Sequence, residues 1–124
     1  MFVKALVHHK RGVTIVSFEG HLNFSHIQKL KESLTDLYTT QKNKKVIFNL
    51  SKLAFVGSSG IKPFIKVFRA FNKDKKTRPH FTGLSPEYQR LFKAFQGKGK
   101  FEIFDDEPTA LRSYFLRPRK SARA

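Results

Sequence analysis

The chain has 124 residues, 40% of them hydrophobic and 27% charged, the size and composition of one domain with its own core. It contains no cysteine, which excludes disulfides, thiolate nucleophiles, Cys-ligated zinc and iron–sulfur clusters. Twenty-five Lys and Arg against nine Asp and Glu give a formal charge of +16, a long-range field that selects anionic partners and does not dictate a fold.

The basic excess leans toward the second half: nine basic and three acidic residues fall in 1–61, sixteen and six in 62–124. No run approaches the roughly 20 apolar residues of a membrane helix. Met1 to Arg11 places Lys4, Lys10 and Arg11 around only a short apolar stretch, unlike a signal peptide. The expectation is a soluble cytoplasmic protein. With 14 Phe, one Met and no Trp, the core is expected to be built largely from phenylalanine.

Val3 to His8 and Val13 to Phe18 are short runs rich in β-branched and aromatic residues, separated by His9 to Gly12, and predict a β-hairpin. Gly20 is expected to close the second strand. Ser25 is the predicted N-cap of a helix whose Ile27, Leu30, Leu34 and Leu37 make one apolar stripe. Thr39 to Lys44 is a polar link. Lys45 to Leu50 is nearly continuous in apolar residues and predicts a strand buried on both faces.

Ser51 to Gly57 reads as a connection, and Ser58 precedes a second amphipathic helix with Ile61, Ile65, Phe68 and Phe71. Pro63 lacks the N–H that a helix interior uses, so this helix has either a loose first turn or a start nearer Lys62. His80 to Thr82 is a short strand. Ser85-Pro86-Glu87 opens a third helix through Leu91, Phe92 and Phe95, ended by Gly97 and Gly99. Phe101 to Phe104 is a fifth strand and Pro108 to Phe115 a last helix.

The order ββαβαβαβα predicts an α/β fold with a mixed sheet, mostly parallel because strands alternating with helices are joined by crossovers. One domain is expected over 1–116, followed by a basic tail, 117–124, whose composition reads as disordered.

Val56-Gly57-Ser58-Ser59-Gly60-Ile61, following Ile47-Phe48-Asn49-Leu50-Ser51, resembles the Asp-Ser-Ser-Gly-Leu-like turn of the STAS family of bacterial anti-sigma factor antagonists. Gly20-His21-Leu22-Asn23 is similar to that family's Gly-Glu-Leu-Asp segment, and Gly83-Leu84-Ser85-Pro86-Glu87 with Leu91-Phe92 to its later Ser-Pro helix start. Order and spacing agree from about residue 4 to 115.

The resemblance implies a cytoplasmic regulator, not an enzyme, that binds an anti-sigma factor or related serine kinase. It implies that the first serine of the turn, Ser58, is the phosphorylation site, ahead of Ser59. Two positions depart from the family's acidic pattern: Gly57 and Asn23 both stand where switch members commonly carry an acid. On residue chemistry alone, Ser58 reads first as a simple helix cap, and the phosphorylation site is what the resemblance adds.

Lys62, Lys66, Arg69 and Lys73 recur at spacings of four, three and four, which places them on one helix face about a quarter turn from the Ile61 stripe. No acid interrupts residues 62 to 73. The expected docking surface for an acidic partner is therefore Gly57, Ser58, Ser59, Gly60, Asn23 and this basic stripe, and Lys62 could pair with a phosphate on Ser58. The alternatives are a solvated basic face with no specific partner, a STAS adaptor that is never phosphorylated and serves a larger assembly, and a nucleic-acid-binding protein. Lys98, Lys100 and the tail's Arg117, Arg119, Lys120 and Arg123 support the last, although no nucleic-acid motif accompanies them.

No catalytic, metal or cofactor site is expected. His8 and His9 are neighbours in or beside a strand, and His21, His26 and His80 show no metal-ligand spacing. Asp105, Asp106 and Glu107 precede Pro108 and read as helix-start chemistry. Ser58 and Ser59 lack the Gly-x-Ser-x-Gly context of a hydrolase nucleophile.

Overall fold

The computed structural model describes residues 3–40, 45–56, 58–73 and 78–115, with Ser58 and Ser59 described as backbone only. Gly57 and the predicted tail, 117–124, lie outside the described residues. Val3–Lys10 (β1) and Val13–Leu22 (β2) pair as an antiparallel hairpin. The turn is Arg11-Gly12, with φ of 54° and 82°. Two positive φ values give a two-residue turn the twist that matches its flanking strands.

Gly20 does not end β2. The register against the next strand, Val46–Phe55 (β3), shifts between Ser17 and Glu19, and parallel pairing resumes from Glu19 opposite Lys52 to Leu22 opposite Phe55. This bulge lets both strands outrun their apolar segments, so β3 passes the expected end at Leu50 by five residues.

Asn23, and not Ser25, caps the chain as it leaves β2. Its Oδ1 accepts the Ser25 N–H at 2.9 Å, and its own N–H donates to Nδ1 of His26 at 3.0 Å. A single 3-10 turn, Phe24–His26, leads into α1, Ile27–Thr40. The cap comes two residues early because the tighter turn starts first and Asn is as good an acceptor there as Ser.

Ser58–Asn72 forms α2, His80–Thr82 β4, Pro86–Ala94 α3, Glu102–Phe104 β5 and Glu107–Ser113 α4. Ser85, at the expected start of the third helix, caps it, its Oγ accepting the Tyr88 N–H at 3.2 Å. Asp106 caps α4 in the same way, accepting the Thr109 N–H at 2.9 Å. The strand order in the sheet is β1-β2-β3-β4-β5, antiparallel at β1/β2 and parallel elsewhere.

Alternation along β2 and β3 sorts the core into two layers. Val16, Phe18, Val46, Phe48 and Leu50 pack with Leu30 and Leu34 of α1, Phe64, Ile65 and Phe68 of α2 and Phe92 of α3. Val13, Ile15 and Ile47 pack on the other side with Ala110 and Leu111 of α4. β3 is thus covered on both faces, as its apolar run requires. Phenylalanine dominates the larger layer: Phe48, Phe64, Phe68, Phe81 and Phe92 are fully buried and meet mostly edge to face or tilted. Such pairs contribute beyond the area that they bury.

Tyr114 ties the end of α4 to the start of β3. Its hydroxyl accepts the Val46 N–H at 3.1 Å and donates to the Val46 carbonyl at 2.9 Å. Burial pushes the phenol above its ordinary range, so it stays a neutral donor.

Candidate functional site

The ends of β2 and β3 and the start of α2 meet at one pole of the sheet. The Val56 N–H donates to the Leu22 carbonyl at 2.8 Å, holding the two strand ends together. Gly60 presses on the same carbonyl: a Cβ there would lie 2.6 Å from the Leu22 oxygen and 3.4 Å from Cα of Asn23. Gly60 is buried. It was expected to touch a partner, and instead it lets α2 seat against β2, because any side chain would collide with backbone.

Ser58 is the first residue of α2 and not the cap before it. The helix is continuous through Pro63, so it does not start nearer Lys62. The proline withholds a hydrogen bond only from the carbonyl of Ser59, within the first turn, where the cost of the missing donor is confined to one group. That first turn contains no acid. The positive end of the helix dipole therefore has no carboxylate of its own first turn to offset it.

The Asn23 side chain is half-buried and already engaged as a cap. Its neighbour Phe24 is 66% exposed, and Val56 at the end of β3 is 41% exposed. Both flank the start of α2, a position where reading every Phe as core material hides them. The 3-10 turn that holds Phe24 packs against α2.

Along α2, Ile61, Phe64, Ile65 and Phe68 are buried, whereas Lys62, Lys66 and Arg69 are exposed, as is Lys73 just past the last helical residue. The face so exposed has two unlike surroundings. Lys62 lies over the Phe95 ring, with Nζ 5.3 Å from its centroid. Arg69 and Lys73 instead border a groove that also involves Arg78 and Gln96 to Gly99.

His80 and Asp106 serve packing and helix capping. His80 stacks on Tyr114 at 3.9 Å between centroids, and its Nδ1 lies 2.8 Å from the Ser113 hydroxyl. Burial lowers its pKa to about 4, and the nearby Arg78 charge acts in the same direction. The Thr109 side chain and N–H hold Asp106 below its usual range, as befits a cap. Among the described residues, no group of three or more His, Asp or Glu is placed to hold a metal ion, and no helix is long and apolar enough to cross a membrane.

This geometry defines a class: a small mixed α/β domain in which two exposed apolar side chains, Phe24 and Val56, and a basic helix face border the start of α2. A STAS domain profile matches residues 4–110, and the chain belongs to the STAS domain family. No curated protein matches it closely enough to assign a role by sequence.

Solved structures resemble it throughout. An anti-sigma factor antagonist from Mycobacterium paratuberculosis superposes with a TM-score of 0.70 at 19% identity, covering 93% of this chain and 96% of that one. RsbS of Moorella thermoacetica, in a serine-to-glutamate variant, gives 0.67 at 17% identity over 98% and 99%. The unphosphorylated anti-sigma factor antagonist SpoIIAA gives 0.62 at 15% identity over 90% and 97%. At these identities the likeness establishes the SpoIIAA-like fold.

Proposed function

We propose that the chain is a cytoplasmic, non-enzymatic regulator of the anti-sigma factor antagonist type. It binds an acidic surface of an anti-sigma factor or related serine kinase through the start of α2, and phosphorylation of Ser58 releases that partner. The observation that carries this reading is the joint exposure of Phe24, Val56 and Lys62 around a helix start that has no acid.

Apolar anchors rimmed by charge are what a protein interface needs. A phosphate on Ser58 would meet unpaired N–H groups and the helix dipole, so it is tolerated without unfolding the domain. Its roughly two negative charges would repel an acidic partner from the same spot. Gly57 and Asn23 add no competing negative charge there.

The test is affinity capture from the source cytoplasm with the wild type, Ser58→Asp, and a Lys62→Glu/Lys66→Glu double variant, with intact-mass measurement of the recovered chain. One partner held by the wild type and lost by both variants, together with a phosphorylated fraction, is the expected result. Equal recovery by all three removes the docking role. Loss with the double variant alone, and no phosphate, gives the adaptor reading in which Ser58 is a helix residue only.

A further inference from the structure

The far end of α2 holds a second feature that the regulatory surface does not use. Arg69, Lys73, Arg78, Gln96, Gly97, Lys98 and Gly99 line a groove of about 670 Å³, within the size range of small-molecule sites. All four charged side chains that line it are cationic. Among the described residues, Arg78 pairs with Glu102 at 3.7 Å, and Arg69, Lys73 and Lys98 have no ion pair.

The groove is built rather than merely bordered by mobile lysines. Asn72, 1% exposed, donates its Nδ2 to the Gly99 carbonyl at 3.0 Å, and its backbone carbonyl accepts Nε of Arg78 at 3.0 Å. One buried residue thus fixes the loop and the arginine, whose side chain is only 15% exposed. Oε1 of Gln96 accepts the Phe101 N–H at 3.0 Å, closing the loop on itself.

Two glycines make the close approach. Gly97 has φ of 75°, and a Cβ there would sit 3.2 Å from Nε of Arg69. At Gly99 a Cβ would sit 2.9 Å from the Asn72 carbonyl oxygen. The loop therefore lies directly on the guanidinium, leaving donors from two elements turned to the same space.

We infer that this groove binds a polyphosphate group. Three cations that have no ion pair among the described residues, a held arginine and a glycine-containing loop suit several linked phosphates better than a single carboxylate. Among the described residues no aromatic or aliphatic side chain lines the groove, so these offer neither a platform for stacking a base nor a pocket for an apolar anchor of a protein. Ser58 lies about 16 Å away along the helix axis, eleven residues at 1.5 Å each, so the site is separate from the proposed switch.

The experiment is calorimetric titration of the full chain with inorganic tripolyphosphate at 0.15 M salt, against orthophosphate and a single-stranded oligonucleotide. Arg69→Ala and Lys98→Ala are compared with Lys31→Ala, which removes an equal charge from the exposed face of α1, and melting curves confirm that each variant folds. The expected result is saturable binding of one tripolyphosphate, at least 10-fold tighter than orthophosphate, weakened at least 10-fold by Arg69→Ala and by Lys98→Ala and unchanged by Lys31→Ala. No binding overturns the inference. So does equal weakening by all three variants, which indicates attraction to net charge, or preferential oligonucleotide binding through the same residues, which assigns the groove to a nucleic-acid backbone.

Discussion

Lowering the pH from 8 to 5 should cost this fold about 2 kcal/mol through His80 alone. The Ser113 hydroxyl donates to the Ala110 carbonyl at 2.6 Å and lies 2.8 Å from Nδ1 of His80, and charging the ring requires it to take a second proton. That proton would sit among the Tyr114 and Phe104 rings, with centroids at 3.9 and 5.0 Å, and near the Arg78 charge. The folded pKa of about 4 lies below the unfolded value of 6.5, so the unfolded chain binds more protons between them.

Stability is therefore full above pH 6.5, falls as the pH drops toward 4 and flattens beneath it. With these values the proton linkage at pH 5 is about 2 kcal/mol, an upper figure because the ring keeps partial access to solvent. Urea unfolding at pH 8 and pH 5 measures it, and His80→Phe is the control that keeps the stacking and removes the titration. The variant should lose about 2 kcal/mol of the difference between the two pH values. An unchanged difference, or an NMR titration placing the His80 midpoint near 6.5, would refute the burial argument.

Two further outcomes follow from single contacts. Gly60→Ala places a methyl 2.6 Å from the Leu22 oxygen, and the overpacking, about 1 to 3 kcal/mol, should outweigh the helix-propensity gain of up to about 1 kcal/mol. Urea unfolding should show net destabilisation, with NMR shifts at Leu22 and Val56, whereas a stabilised variant would mean that α2 is not seated on β2. Tyr114→Phe strands the Val46 N–H that the phenol accepts, and a loss of about 1 to 3 kcal/mol is expected in the same assay.

Much of the fold is legible because its periodic segments are long. The stripe of α2, the doubly buried run at the start of β3 and the Ser85-Pro86 helix start each state their environment in consecutive residues. What escapes depends on partners distant in sequence. Ser51 and Lys52 read as loop residues, yet β3 continues through them because the bulge after Ser17 brings Glu19 opposite Lys52. Gly60 looks like part of an exposed motif, and only the position of the Leu22 carbonyl shows that it is a packing residue.

Phe24 and Val56 show the same limit at the candidate site. Their residue types predict burial, and nothing local tells that the strand ends leave them uncovered at 66% and 41% exposure.

The basic stripe illustrates how tertiary neighbours divide a surface that sequence spacing presents as uniform. Lys62, Lys66, Arg69 and Lys73 share one face by helical geometry, and on that ground alone they would serve one partner. The segment after α3 lies opposite part of this face and presents a different residue at each level. Phe95 meets Lys62, so that charge rests on an aromatic face and can take part in a mixed apolar and cationic contact. Two residues later Gly97 meets Arg69, and with no side chain in the way the guanidinium opens into a space shared with Lys73, Arg78 and Lys98. The change from Phe95 to Gly97 thus separates the end of α2 proposed to dock a protein from the end proposed to bind an anion. A bulky residue at 97 would both strain a backbone held at φ of 75° and cover Arg69, removing the second end while leaving the first.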